Sequence, residues 1–295
     1  MKIAIFGRTI DESSKDSLVG FFERLKEKKG IEWYIYDSFY NYLISKEYIA
    51  DKTDFFITKT FKSGEDLPKE VDLILSLGGD GTFLSTLPII KDREIPVAGI
   101  NFGRLGFLTS SNYASPWIDL LLEGNFEVQH RNLLTFEYSN TPDDFYPYAL
   151  NEFSIQRDGP AVLELDIKIN GESMPRYMAD GVLIGSATGS TAYSMSAGGP
   201  IVMPECQVLT IVPVAPHNLN IRPLVVPQDS VIEISFNTRY DNATLSADNR
   251  FFKIPNGATI KISKAPISLK IVAPMMKFMS ALNKKLFWGA DWRNL

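Results

Sequence analysis

Val71-Asp72-Leu73-Ile74-Leu75-Ser76-Leu77-Gly78-Gly79-Asp80-Gly81-Thr82 is an apolar run that stops abruptly in a glycine-rich turn. Val71 to Leu77 reads as a buried strand, and Thr82 to Ile90 then reads as a helix. Glycine lets the backbone take positive φ and come close to a ligand. A glycine turn opening a helix presents free N–H groups and a positive dipole end, which suits phosphate. One carboxylate, Asp80, sits inside that turn. An acid placed where phosphate binds is electrostatically costly unless it holds a metal or accepts a proton. The loop therefore suggests phosphoryl chemistry on a hydroxyl. A tight turn with Asp80 as its N-cap would use the same residues. The position after a buried strand favours function, because α/β proteins bind ligands at the carboxyl ends of their strands.

The elements around this run repeat its logic. Lys2–Phe6 is a short apolar strand, and Ser13–Lys29 carries Leu18, Phe22 and Leu25 on one helical face, with Gly30 just past its end. Glu32–Tyr36 and Pro96–Asn101 are further strands. Repeated β-then-α units predict an α/β N-terminal domain, a parallel sheet flanked by helices. After a linking helix over Ser115–Glu123 the texture changes. Leu133–Tyr138, Val162–Ile169, Val231–Phe236, Thr259–Ser263 and Ile267–Val272 are short strands split by turns, and Asn170-Gly171 is a hairpin dipeptide. This half is expected to be a β-rich C-terminal domain. Met275–Phe287 is helical again, with Met279, Leu282 and Leu286 on one face, and is expected to return to the first domain. The expected division is residues 1–112, with 275–295 packing back on them, and residues 113–274.

Composition bounds the function classes. The 295 residues are 45% hydrophobic and 22% charged, the profile of a folded chain of two domains. A net charge of −5 disfavours a nucleic-acid partner. No apolar run approaches the ~18 residues of a membrane span. Met1 to Phe6 reads as a first strand rather than a signal peptide, and Cys206 is the single cysteine, so a cytoplasmic protein without disulfides is expected. The dipeptide Gly-Lys does not occur, which excludes a P-loop, and two histidines are too few for a histidine metal site.

Three further segments carry chemistry. Asn101-Phe102-Gly103-Arg104-Leu105-Gly106-Phe107-Leu108-Thr109 follows a strand and should share a cleft with Asp80; its Phe107 could stack on a base or fill the core. Asn151-Glu152 interrupts the strand-like Tyr148–Gln156, as a polar site or as a solvent-facing edge. Asp180 opens an apolar strand that runs into Ser186-Ala187-Thr188-Gly189-Ser190-Thr191-Ala192-Tyr193-Ser194-Met195-Ser196-Ala197-Gly198-Gly199-Pro200. Short hydroxyls and glycines without charge let a polyol or a base edge approach closely.

In this order the four segments, with Pro216-His217-Asn218-Leu219 and Arg222-Pro223-Leu224 after them, resemble the ATP-NAD kinase family over residues 71 to 226. That family phosphorylates the 2′-hydroxyl of the adenosine ribose of NAD, giving NADP. The resemblance implies that Asp80 accepts the hydroxyl proton and that Gly79, Gly81 and Thr82 shape its loop. It implies that Asn151 holds the ribose together with Asp80, that Glu152 binds beside it, and that Thr191, Ala192, Tyr193 and Ser196 line the adenine and ribose pocket with Phe107 against the base. Asp180 would reach the nicotinamide end, often across a subunit interface. A divalent metal, most simply Mg²⁺, would arrive with the phosphoryl donor, ATP or another. A homodimer or homotetramer is implied, without a nucleic-acid or membrane partner. Two departures stand out: Ser186-Ala187 replaces a Thr-Pro pair, and Met178 stands where some relatives carry arginine, with Arg176 nearby. A diacylglycerol-type lipid kinase sharing the GGDG loop and a non-catalytic dinucleotide sensor are the competing readings.

Overall fold

The computed structural model describes residues 1–49, 57, 59–103, 105–109, 111–274 and 276–287. Arg104 of the glycine-rich segment, Met275 of the expected tail helix and residues 288–295 of the expected tail lie outside the described residues. Two compact units form: Met1–His130 with the chain from Lys270 onward, and Arg131–Leu269.

The first unit is a parallel sheet with helices. Its elements are β1 (Lys2–Gly7), α1 (Lys15–Lys26), β2 (Glu32–Tyr36), α2 (Asp37–Ser45), β3 (Lys59–Phe61), β4 (Leu73–Leu77), α3 (Asp80–Leu84), α4 (Leu87–Ile90), β5 (Val97–Asn101), β6 (Ser111–Asn112) and α5 (Trp117–Leu122). The strand order is β5-β4-β1-β2-β3, every pair parallel, with β6 alongside the end of β5. Every residue of β4 and β5 is buried. Strands covered on both faces are near-continuously apolar, which is why Leu73–Leu77, with Ser76 its one polar residue, reads as a run rather than an alternation. Leu18, Phe22 and Leu25 of α1 join the core with Phe21, and the expected linking helix contributes Ile118, Leu121 and Leu122 to the same core.

One expected element is broken. The helix read over Thr82–Ile90 is two short helices, α3 and α4, meeting at Ser85–Thr86. Pro88 lies in the first turn of α4. In a continuous helix its ring would clash with the carbonyl of Leu84 and remove a hydrogen bond, so the chain restarts instead.

The second unit is built from β7 (Val128–Glu137, entering it at Arg131), β8 (Tyr148–Ala149), β9 (Glu152–Arg157), β10 (Leu163–Ile169), β11 (Glu172–Ser173), β12 (Tyr177–Ala179), β13 (Gly181–Ser186), α6 (Tyr193–Ser196), β14 (Val208–Val214), β15 (Leu224–Pro227), β16 (Ile232–Asn237), β17 (Asn242–Ala247), β18 (Arg250–Pro255) and β19 (Thr259–Val272). One antiparallel sheet has the order β15-β14-β13-β9-β17-β18. The other pairs β11, β10, β16 and β19. Phe153, Ile155, Val182, Ile184 and Leu245 of the first sheet and Leu165, Ile167, Ile234 and Ile260 of the second form one core. Asn170 and Gly171 both have positive φ, 51° and 85°, as a two-residue hairpin turn requires. The two strands expected over Thr259–Ser263 and Ile267–Val272 are one 14-residue strand that contains Pro266.

The chain ends its described part in α7 (Phe278–Leu286), which belongs to the first unit. The buried residues of α7 are Ala281 and Leu282, whereas Met279, expected on the inner face, is 54% exposed. Among the described residues no helix is long and apolar enough to cross a membrane.

Candidate active site

Asp80 begins α3 directly after the Gly78-Gly79 turn at the end of β4. The loop after the neighbouring β5 wraps over it. Oδ2 accepts the Phe107 N–H at 2.8 Å; Oδ1 accepts the Leu108 N–H at 3.1 Å, the Thr109 N–H at 3.0 Å and the Thr109 hydroxyl at 2.9 Å. The loop is itself tied: Asn101 Nδ2 donates to the Thr109 carbonyl, Asn101 Oδ1 accepts the Gly103 N–H, and the Ser14 hydroxyl donates to the Phe102 carbonyl. Gly106 makes the approach possible, since a Cβ there would collide with Asp80 Oδ1 and Thr109 Oγ1. Gly78 has φ 143°, open to glycine, and a side chain there would strike Thr82 Oγ1. Gly79 and Gly81 differ: a Cβ on either meets nothing within 4 Å. Their small size is not demanded by the packing of the chain.

The acid is therefore clamped, not merely capping a turn. Oδ1 takes three donors and Oδ2 takes one, so Oδ2 keeps acceptor capacity. The five-residue α3 is too short for a substantial macrodipole, so the phosphate reading rests on the loop and not on the helix. Lys285 of α7 brings its Nζ to 4.0 Å from Asp80 Oδ2 and 4.1 Å from the centre of the Phe107 ring. The Phe278 ring lies 6.0 Å from Phe107. Burial lowers the Lys285 pKa, and the Asp80 charge opposes that shift.

In the second unit Asn151 and Glu152 are both 8% exposed, at the start of a central strand rather than on an edge. The turn between β8 and β9 is held from both sides. Asp248, fully buried between β17 and β18, accepts the N–H groups of Leu150 at 2.8 Å, Asn151 at 2.8 Å and Glu152 at 3.2 Å. Ser186 donates its hydroxyl to the Leu150 carbonyl at 2.6 Å and its N–H to the Asn151 carbonyl at 2.8 Å. A Cβ on Gly189 would collide with that same Asn151 carbonyl. Arg250 closes the cluster, 3.7 Å from Asp248, with its guanidinium on the Tyr146 and Tyr148 carbonyls. Burial, reinforced by the charge of Asp248, pushes the Glu152 pKa up to about 8, and burial raises Asp248 as well. Glu152 Oε2 has no hydrogen-bond partner among the described residues. A buried polar atom without a partner calls for an explanation, and at Glu152, within the segment that matches a sequence motif, a ligand group would supply one.

The sequence matches the model of the ATP-NAD kinase N-terminal domain over residues 3–122 and that of the ATP-NAD kinase C-terminal domain over residues 150–273. The chain belongs to the ATP-NAD kinase family. The NAD kinase of Flavobacterium psychrophilum is 36% identical over 300 residues, covering 100% of both chains. That of Porphyromonas gingivalis W83 is 37% identical over 299 residues, covering 99% of each. Among solved structures, yeast NADH kinase complexed with NADH aligns with a TM-score of 0.85 at 25% identity, covering 100% of this chain and 90% of the other. An NAD kinase from Archaeoglobus fulgidus in complex with ATP aligns with a TM-score of 0.72 at 25% identity, covering 96% of this chain and 98% of the other. The two-domain fold, with an α/β first half, a β-rich second half and a C-terminal helix, is that of these kinases. The GGDG loop alone left a lipid kinase open; membership of the ATP-NAD kinase family removes that reading.

The ATP-NAD kinase motifs fall into three places. Asp80, Gly79, Gly81, Thr82 and Phe107 lie together in the first unit. Asn151 and Glu152 meet the Ser186–Gly189 segment in the second, and Thr191, Ala192, Tyr193 and Ser196 follow on accessible backbone while Ser190 and Ser194 turn inward. Asp180 is not brought to the Asn151 turn: it lies at the opposite end of β13, a six-residue strand of about 20 Å. There it pairs with Arg157 Nε at 2.9 Å. Arg176 is committed to Asp166 through two bonds, 2.8 and 2.7 Å, so it does not stand in for the arginine that Met178 replaces. Asp248 and Lys285 went unread in the sequence. Asp248-Asn249 between two alternating runs signals a hairpin turn, but nothing local signals its burial; Lys285 is one lysine in a helical tail.

Proposed function

We propose that this chain is an NAD kinase that transfers the γ-phosphate of ATP to the 2′-hydroxyl of the adenosine ribose of NAD, giving NADP. The observation that carries it is the clamped Asp80 carboxylate, with acceptor capacity left on Oδ2, at the carboxyl ends of β4 and β5. The ribose hydroxyl donates to Oδ2, which orients its oxygen toward the donor phosphorus. Asp80 takes the proton as the new P–O bond forms and the bond from the γ-phosphorus to the bridging oxygen breaks, releasing ADP; the base contributes about 10²–10⁴-fold. The Phe107–Thr109 amides keep the carboxylate oriented, so little reorganisation is needed at the moment of reaction. Asn151 and Glu152 bind the adenosine ribose; Thr191, Ala192, Tyr193, Ser196 and Phe107 receive the adenine end; open surroundings at Gly79 and Gly81 let substrate approach the backbone.

Asp80 fits a dedicated metal poorly, because its oxygens already face three amides, a hydroxyl and an ammonium. A divalent ion such as Mg²⁺ would be held by the donor phosphates rather than by Asp80, and would offset part of their charge. Asp180, remote from the Asn151 turn in its own chain, serves the nicotinamide end of a neighbouring copy in a cytoplasmic homodimer or homotetramer. Incubating the purified chain with NAD, ATP and Mg²⁺ and reading NADP through a coupled dehydrogenase tests the activity. Binding of NAD without NADP formation would sink it and leave a sensor. Replacing ATP by other nucleoside triphosphates or polyphosphate defines the donor, and light scattering on an eluting column defines the assembly.

A further inference from the structure

Asp80 and the donor phosphate must both reach one hydroxyl, and both are negative. Two anions at such a distance repel unless a cation lies between or beside them. The chain has no P-loop, whose lysine supplies this charge in other kinases. Among the described residues Lys285 is the cation within ion-pair distance of Asp80. Its stem is carried by α7, which belongs to the first unit and has Ala281 and Leu282 buried, and its side chain is only 24% exposed. The ammonium rests over the Phe107 ring at 4.1 Å, and its 4.0 Å approach to Oδ2 is the outer limit of an ion pair. No described residue accepts a hydrogen bond from it, in contrast to Lys91 on Glu65 at 3.0 Å or Lys28 on Asp119 at 2.7 Å. A lysine held in place, desolvated, and with its donors uncommitted is prepared to receive oxygens that the chain itself does not supply.

We infer that Lys285 is a catalytic residue: its ammonium binds the oxygens of the transferring phosphoryl group beside Asp80. This rests on the NAD kinase reading above. As the group passes from donor to ribose, charge spreads over its equatorial oxygens, and a preplaced ammonium holds that charge without reorganising. The lysine also offsets the repulsion between the phosphoryl group and the carboxylate. The C-terminal helix is thereby part of the reaction centre.

The test compares full-length wild type, Lys285→Met and Lys285→Arg in initial rates with ATP and NAD varied separately. Lys285→Met is expected to lower kcat by about 10²-fold or more and to raise KM for the donor. Lys285→Arg, which keeps the charge, is expected to regain at least about a tenth of the wild-type kcat. A kcat for Lys285→Met within about threefold of wild type overturns the proposal. So does a loss that falls on KM for NAD alone, or one that arginine does not relieve. Wild type that makes no NADP refutes the kinase reading instead, before Lys285 is in question.

Discussion

Asp80 combines two demands that a carboxylate seldom meets together. It must be rigid enough to aim a hydroxyl and still keep a lone pair for it. The loop after β5 meets both by loading Oδ1 with three donors and Oδ2 with one. Asp80→Asn therefore does more than remove the base. Its amide carbonyl can replace Oδ1, but its NH₂ would then face the Phe107 N–H, donor against donor. The variant is expected to fold, to lose about 1–3 kcal/mol in urea unfolding, and to lose turnover by about 10²-fold or more. Wild-type kcat in that variant would remove Asp80 as the base. Glu152 gives a second prediction at this scale. Its folded pKa of about 8 lies above the ordinary 4.5, so between those values the unfolded chain releases a proton that the folded chain keeps. Stability at Glu152 is thus fully present below 4.5 and is lost as pH rises through about 8. Glu152→Gln is expected to gain stability over wild type as pH is raised from 5 to 8, in parallel urea titrations. Asp248, also raised by burial, adds a decline of the same sign that the variant retains. Equal pH profiles for the two proteins would show Glu152 ionised in the fold.

Elements place these residues more firmly than their own sequence does. The Asn151 turn hangs between the β17–β18 hairpin, which supplies Asp248, and the end of β13, which supplies Ser186. The Ser186 hydroxyl ties down a segment where the expected proline is missing, accepting the Gly189 N–H at 3.1 Å as well as donating to Leu150. Asp248→Ala would strand three buried N–H groups and leave the Arg250 charge without its carboxylate. It is expected to cost about 3–5 kcal/mol in urea unfolding. A cost below about 1 kcal/mol would mean that water reaches the turn. The elements themselves were readable where burial is uniform: β2 matches Glu32–Tyr36, and β4 and β5 lie within one or two residues of their expected bounds. The break at Pro88 was readable in principle, from the clash of an interior proline with the preceding turn. The inner face of α7 was not, because Met279, Ala281 and Leu282 all suit an amphipathic helix and the packing partner alone selects among them.

At the scale of the molecule the chain builds two cores by two different rules. The first surrounds a parallel sheet, and the second lies between antiparallel sheets. Two compact units with separate cores are expected to unfold in more than one step, with a calorimetric enthalpy exceeding the van 't Hoff value. Equality of the two would mean that neither core survives loss of the other. The sequence by itself determined what is local and dense in signal: the buried strands, the glycine turn with its acid, the hydroxyl-rich run, and hence the family. Periodicity and backbone freedom are properties of neighbours in the chain, and they survive without a structure. Only the tertiary structure decided which oxygen of Asp80 stays open, that Asp248 anchors a turn about 97 residues away in sequence, and that Lys285 of α7 lies beside the site acid. Those are distances between segments far apart in the chain. They depend on how the elements pack, and local sequence does not encode them.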